Sequence, residues 1–257
     1  RVASRGLGDV YKRQTLPAEC RLIPFVFSDD EIAIIVLSNN RMDVYNISGT
    51  ALSSNVTTNC NWTTAQLFEL NFAQFGDTVF ITHRDNATRK IFRTSATNFE
   101  VQTFAFDTDD SVSVGGVNKS KQPFYKYADG TISVTLSAHA TGTGRTLTAS
   151  ASAFTSAYAN TYLQVNGKQV FVTGYTSATV LTVTVIEDAV SNGPHFNWKE
   201  QTISSVRGFP QAVTFHNNRL WLGGVKDRPA SVLASRISEY FNFAVGSGAA
   251  DESLELD

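Results

Sequence analysis

Charge is scarce in this chain. Asp, Glu, Lys and Arg make up 17% of its 257 residues, against about 25% in an ordinary soluble domain. Thr, Ser, Asn and Ala fill the gap. The formal net charge is −2, whereas a dedicated nucleic-acid binder carries a basic footprint. Cysteine occurs only at Cys20 and Cys60, without CxxC spacing, so two free thiols are expected rather than a disulfide framework or a zinc site. No apolar run approaches the roughly 18–20 residues that span a bilayer. Ile32 to Leu37 is a short buried strand instead.

Catalytic signatures are missing as well. The four histidines, His83, His139, His195 and His216, stand in neither HxxxH nor HExxH spacing, which leaves zinc chemistry without support. There is no Gly-x-Ser-x-Gly elbow. The glycine-rich run Thr141 to Gly144 lacks the lysine of a phosphate loop. Asp29, Asp30 and Glu31 read as turn residues that bond their own backbone. Asp107 to Ser111 opens like a calcium loop, but Val112 and Asn118 occupy the sixth and twelfth places, where Gly and Glu belong. Asp77, Asp85 and Asp227, at loop edges, are the carboxylates that could pair in space as a glycosidase's do. The expectation is no enzyme, no cofactor and no metal.

What the chain does have is phenylalanine, 18 of them, with one methionine. A Thr-, Val- and Phe-rich composition favours strands. The best-defined pattern runs from Gly208 to Phe243. Ala212 to Phe215 is a β-rich run, His216 to Arg219 a polar turn, and Leu220-Trp221-Leu222 a second run closed by Gly223-Gly224. Runs bounded by Asn and Gly read as a hairpin, and the paired glycines suit a bulge or a positive-φ exit. Pro229 holds Arg228 extended, and Ser231 to Ser235 forms a third strand. Phe215 and Trp221 are expected in the core.

Earlier, Arg21 to Phe27, Glu31 to Leu37 and Met42 to Ile47 alternate with short polar turns as hairpins. Ala51 to Thr64 reads as a polar loop, and Ala65 to Leu70 as a single helical turn or an edge strand. A second three-strand unit follows, Thr78 to Thr82, Lys90 to Thr94 and Phe99 to Phe106. It lies on the Gly208 stretch without gaps when Asp77 is set on Asn218. Val79-Phe80-Ile81 then meets Leu220-Trp221-Leu222, Thr94 meets Ser235 and Phe99 meets Tyr240. Blades of about 40–50 residues would put the two units three blades apart. Ile132 to Ala153 reads as an extended strand pair or a linker. Phe154 to Glu187 alternates around Asn166-Gly167, the strongest short hairpin signal. Asn197 to Glu200 leads back into the body.

Several stretches together resemble a family of short-tailed phage structural proteins: tail nozzle, tail tubular B-like and head-to-tail stabilisation proteins. They are RLIPFVFS with Arg21, Pro24 and Phe25, and ITHRDNATRKIFRTSATNF with Thr82, His83, Arg89, Lys90, Arg93 and Thr94. GFPQAVTFHNNRLWLGG follows with Pro210, Phe215, Arg219, Leu220, Trp221, Gly223 and Gly224. KDRPASVLASRISEYFNF carries Arg228, Pro229, Ser235, Arg236, Phe241 and Phe243, and GAADESLEL closes the series. Members of that family commonly have a proline before the Arg-Lys pair, where this chain has Asn86-Ala87-Thr88.

The resemblance implies an all-β, propeller-like body with an inserted small β domain. The expected organisation is 1–14 foreign, 15–116 body, 117–190 insert and 191–257 body resumed. Ser4 to Gln14 reads as the translation of a transposon adaptor from sequencing libraries, and the chain as a truncated metagenomic fragment. The implied function is a virion tail protein assembled in the bacterial cytoplasm. It would form a homo-hexameric ring, contact tail, portal or adaptor proteins and fibres, and pass double-stranded DNA without sequence-specific binding. Arg219, Arg228 and Arg236 are candidates to face DNA, with pairing to Asp227 and Glu239 the preferred account. The alternative is a carbohydrate-binding or glycan-processing β-propeller. A secreted adhesin is a third class, using the sequons at Asn46, Asn55, Asn61, Asn86 and Asn118.

Overall fold

The computed structural model of the chain describes residues 19–246 and 249–256; the foreign segment expected at 1–14 lies outside them. The protein is all-β, 54% strand and 3% helix, and its sheets are antiparallel. None of the described helices is long and apolar enough to cross a membrane. The residues divide into two compact units, one of 19–69, 76–79 and 91–102, the other of 70–75, 80–90 and 103–256.

The first unit is built on a four-stranded meander of β1 (Arg21–Val26), β2 (Ile32–Ser38), β3 (Arg41–Asn46) and β4 (Ala51–Val56). Asn39-Asn40 makes the β2–β3 turn, and Asn40 takes the positive φ of 50° that asparagine tolerates. Ile23, Phe25, Ile35, Leu37 and Val44 face inward with Trp62 and Leu67. Ala51–Val56, expected as loop, is a strand. Its polar composition hides it in the sequence, and Asp43 supports it by accepting from the Asn55 amide at 2.8 Å while held by Arg41 at 2.7 Å. The turn expected near Ala65 is a short 3-10 helix, Thr64–Gln66.

A second meander comprises β5 (Asn71–Phe75), β6 (Thr78–His83), β7 (Asn86–Ser95) and β8 (Asn98–Thr103), and its residues divide between the two units. The stretch Asn86-Ala87-Thr88, which stands where the similar family has a proline, opens β7; the turn is only Arg84-Asp85. β9 (Thr108–Val114) and β10 (Val117–Ser120) form a separate hairpin, so the calcium-loop-like Asp109 and Asp110 lie on a strand.

Next comes a seven-stranded sheet. Its strands are β11 (Phe124–Tyr125), β12 (Val134–Leu136), β13 (Gly142–Ala149), β14 (Tyr162–Val165), β15 (Lys168–Ser177), β16 (Val180–Val185) and β17 (Trp198–Gln201), in the order β11-β17-β14-β15-β16-β13-β12. Val134, Leu147, Leu163, Val172, Val183 and Trp198 are part of its own apolar core. The Asn166-Gly167 turn has φ of 49° and 79°, the signature of a type I′ hairpin. Trp198–Gln201, expected to lead back into the body, is an interior strand of this sheet between β11 and β14. The sheet therefore runs past the boundary expected at residue 190.

The last meander is β18 (Ala212–His216), β19 (Arg219–Val225), β20 (Arg228–Ala234) and β21 (Leu254–Leu256). Asn217 and Asn218, with φ of 48° and 54°, make the β18–β19 turn. Gly224, φ 65°, sits where the β19–β20 register slips between Gly223 and Val225. The alignment of Asp77 with Asn218 also sets β5 on β18 end to end, the start of β6 on the start of β19, and the start of β7 one residue before the start of β20. It fails at the fourth strand. Tyr240 lies in a turn, whereas its counterpart Phe99 lies on β8.

Gly208 joins these elements. Its φ is 82°, and a Cβ there would collide with Lys226 Cβ and lie 3.1 Å from the Arg84 carbonyl oxygen. The next amide, Phe209 N–H, donates to that carbonyl at 2.9 Å. Backbone against backbone leaves no room to relax. Gly208→Ala is expected to lower unfolding stability by on the order of 2 kcal/mol in urea titration, while Gly167→Ala, open around its Cβ position, loses less.

Candidate functional site

The strands of the final meander bring three arginines onto one segment, residues 249–256. Arg219 opens β19 and is 4% exposed. Its Nη1 donates to the Ser235 and Glu252 carbonyls, and its Nη2 to the Ala250 carbonyl at 2.6 Å. Arg228 opens β20, pairs with Glu255 on β21, and lies 3.7 Å from the Tyr125 ring centroid. Arg236, just past β20, reaches Asp251 at 3.0 Å and Glu239 at 3.6 Å. The Arg236 hydrogen bond holds the Asp251 carboxyl below the ordinary range.

Pairing between strands or between subunits, with Asp227 and Glu239 as partners, was the preferred account of these arginines. Glu239 is one of Arg236's partners. Asp227 instead takes Arg207, at 3.3 Å, because Arg228 turns toward Glu255 across the β20–β21 pair. A guanidinium enclosed by carbonyls and carboxylates is satisfied as a fork of donors, which a lysine cannot reproduce.

Around this clasp the remaining matched residues of the same stretch are packing elements. Leu220 is fully buried, and Leu220 N–H donates to Ser235 Oγ at 3.0 Å. Pro210 is buried and Pro229 exposed. Trp221, expected in the core, is half-buried: alternation sends Leu220 and Leu222 inward and Trp221 to the other face, its indole N–H on the His216 carbonyl at 3.1 Å. Phe215, also expected in the core, is half-buried against Phe75 at 5.0 Å and Phe80 at 5.4 Å. Phe241 and Phe243 close the cluster beside Phe104 and Phe106.

The earlier matched words are used similarly. Arg21 donates to the Leu67 carbonyl at 2.9 Å. Phe25 is buried edge-to-face on Phe99 at 5.2 Å, and Pro24 is exposed. Arg93 pairs with Glu31 at 2.8 Å and covers the Phe27 ring, and Thr94 Oγ1 donates to the Asn98 carbonyl at 3.3 Å. In the second unit Thr82 Oγ1 donates to the Gln211 carbonyl at 2.9 Å, and His83 is buried with Nδ1 accepting from the Asp85 amide at 3.2 Å. Arg89 reaches Thr103 Oγ1 at 2.5 Å, and Lys90 lies over Phe241 at 4.7 Å.

Sequence reasoning missed one network. Glu200 on β17, 3% exposed, accepts a bidentate pair from Arg207 at 2.8 and 2.7 Å and a third hydrogen bond from Tyr158 at 2.8 Å. Tyr127 stacks on Arg207 at 4.1 Å. Burial opposes the charge of Arg207, yet Glu200 outweighs it and holds the guanidinium above its ordinary pKa. Burial, reinforced by Glu200, pushes the Tyr158 phenol up. Every Glu200 oxygen is engaged, so the group is a strut rather than a general acid or base. Alternation around Trp198 could have flagged β17, but no local pattern marks the partner of Glu200.

Among the described residues no group of three or more His, Cys, Asp or Glu side chains is placed to hold a metal ion. Asp85 pairs with Lys226 at 2.6 Å and Asp227 with Arg207, so each of these loop-edge carboxylates faces a cation. Cys20 and Cys60 are free thiols. No protein-family model matches the chain, and no curated protein matches it.

Glu200→Gln is expected to lower stability by about 3 kcal/mol, because it takes the buried, bidentate carboxylate from a partly buried guanidinium and leaves only the more exposed Asp227 as counter-charge. Adding Arg207→Met should return part of the loss. Strict additivity in urea unfolding would show that the two side chains do not act together.

Proposed function

We propose that the chain belongs to a virion structural protein of the tail nozzle or head–tail conduit kind, acting in DNA retention and passage and in the docking of tail components. The observation that carries this reading is the clasp. Three of the family-like stretches, HNNRLWLGG, KDRPASVLASR and GAADESLEL, supply one interlocked set of contacts through Arg219, Arg228 and Arg236. Residues used in this way serve a mechanical part. Arginines already enclosed by their own chain are not free to hold phosphate, which suits a conduit that DNA must slide through. A net charge of −2 agrees with that need.

In this reading the protein assembles with itself into a ring, six-fold by resemblance, at the end of a short tail or at the head–tail junction. Portal or adaptor proteins and fibres are its neighbours, and duplex DNA passes without sequence-specific contact. It works in the virion, after assembly in the host cytoplasm, and no catalytic step is assigned to it.

The full-length protein, examined by native mass and negative-stain microscopy, is expected to form a six-fold ring with a pore wide enough for duplex DNA. At physiological salt the ring should not retain duplex. A chain that stays monomeric when concentrated, or a lumen that binds duplex tightly, would overturn the proposal and favour the carbohydrate-binding propeller.

A further inference from the structure

The second unit contains a cleft of ≈ 470 Å³ bordered by β7, β8, β9, β10, β14 and β17 and by the loops beside them. No Asp, Glu, Lys, Arg or His lines it. Even in a chain poor in charge, that is a selective surface. It offers nothing to a phosphate, a nucleotide or an acidic peptide, each of which needs a cation or a positive backbone nest. Four half-buried rings, Phe104, Phe106, Tyr162 and Phe209, face it together with hydroxyl and amide side chains. Phe106 holds Phe104 edge-to-face at 5.1 Å, and the Tyr162 hydroxyl is fixed on the Asn118 carbonyl at 3.1 Å.

Two polar atoms in its wall are unsatisfied. Gln122 and Thr88 are 3% and 4% exposed, and neither Gln122 Nε2 nor Thr88 Oγ1 has a hydrogen-bond partner. Native proteins pair nearly all such atoms, and an exception calls for an explanation such as an absent bound molecule. Both residues are among those that line the cleft, and the last torsion of a glutamine side chain is broad.

We propose that this cleft binds a neutral sugar unit. The ligand must present hydroxyls that both donate and accept, as Ser, Thr, Asn and Gln do in return. It must also carry an apolar C–H face to lie against the rings and no charge. A pyranose meets all three demands. The site is for binding alone, since its wall holds no carboxylate pair to cleave a glycosidic bond. It is independent of ring assembly, and either property can fail without the other.

The test is saturation-transfer NMR on the full chain with maltotriose and chitotriose, and with trigalacturonic acid as the charged comparator. Saturable transfer to at least one neutral sugar is expected, and none to the acid. Ala105→Arg places a charge at an exposed position of the lining and should abolish the transfer. Gln122→Met keeps length and packing, leaves the unfolding midpoint in place, and should weaken binding about 2- to 10-fold, the worth of one hydrogen bond. Absence of transfer from both neutral sugars, equal transfer from the acid, or transfer untouched by Ala105→Arg would overturn the proposal. In those cases the unpartnered atoms are hydrated by ordinary water.

Discussion

A buried guanidinium is the constraint on which the last third of the chain depends. Arg219 is removed from water at the start of β19, and a desolvated cation is tolerated only when its donors are met. The carbonyls that meet them belong to Ser235, Ala250 and Glu252, which lie far along the sequence. Those carbonyls would otherwise need partners of their own. One side chain thereby ties the end of β20 to the segment that returns as β21, and Arg228 with Glu255 and Arg236 with Asp251 repeat the tie on either side. Without this clasp β21 is three residues on an edge, too short to hold itself.

The same interaction gives physical meaning to an order of sequence words. The stretches around Arg219, around Arg228 to Arg236 and around Asp251 to Glu255 are three parts of one set of contacts. A change in any of them leaves a charge or a carbonyl unpaired in the others. Scarcity of charge elsewhere follows the same logic. In the second unit Glu200 is matched by Arg207 and Arg228 by Glu255, Arg219 is met by backbone carbonyls, and the apolar interior is aliphatic and aromatic.

Strands flanked by strong turns were legible in the sequence. Asn39-Asn40, Asn166-Gly167 and Asn217-Asn218 each sit between alternating runs and each forms the hairpin turn expected of it. The alignment of Asp77 with Asn218 was legible because β5–β6 and β18–β19 share a strand–turn–strand rhythm. Strands of polar composition were not. Ala51–Val56 carries Ser, Ser and Asn and is recognisable only once Asp43 receives the Asn55 amide. Trp198–Gln201 becomes a strand because Leu163 and Phe124 present free edges to Glu200 and Gln201, pairings between residues too far apart for a local pattern to reveal. Trp221 was misplaced for a different reason: its size suggested the core, but the period of two assigns its face.

The arginine clasp is tested most directly by hydrogen–deuterium exchange across residues 249–256, in the native chain and in Arg219→Lys. Slow exchange in the native chain, lost in the variant while the seven-stranded sheet keeps its protection, is the predicted result. Exchange in this segment that is fast in both proteins, or slow in both, would contradict the account.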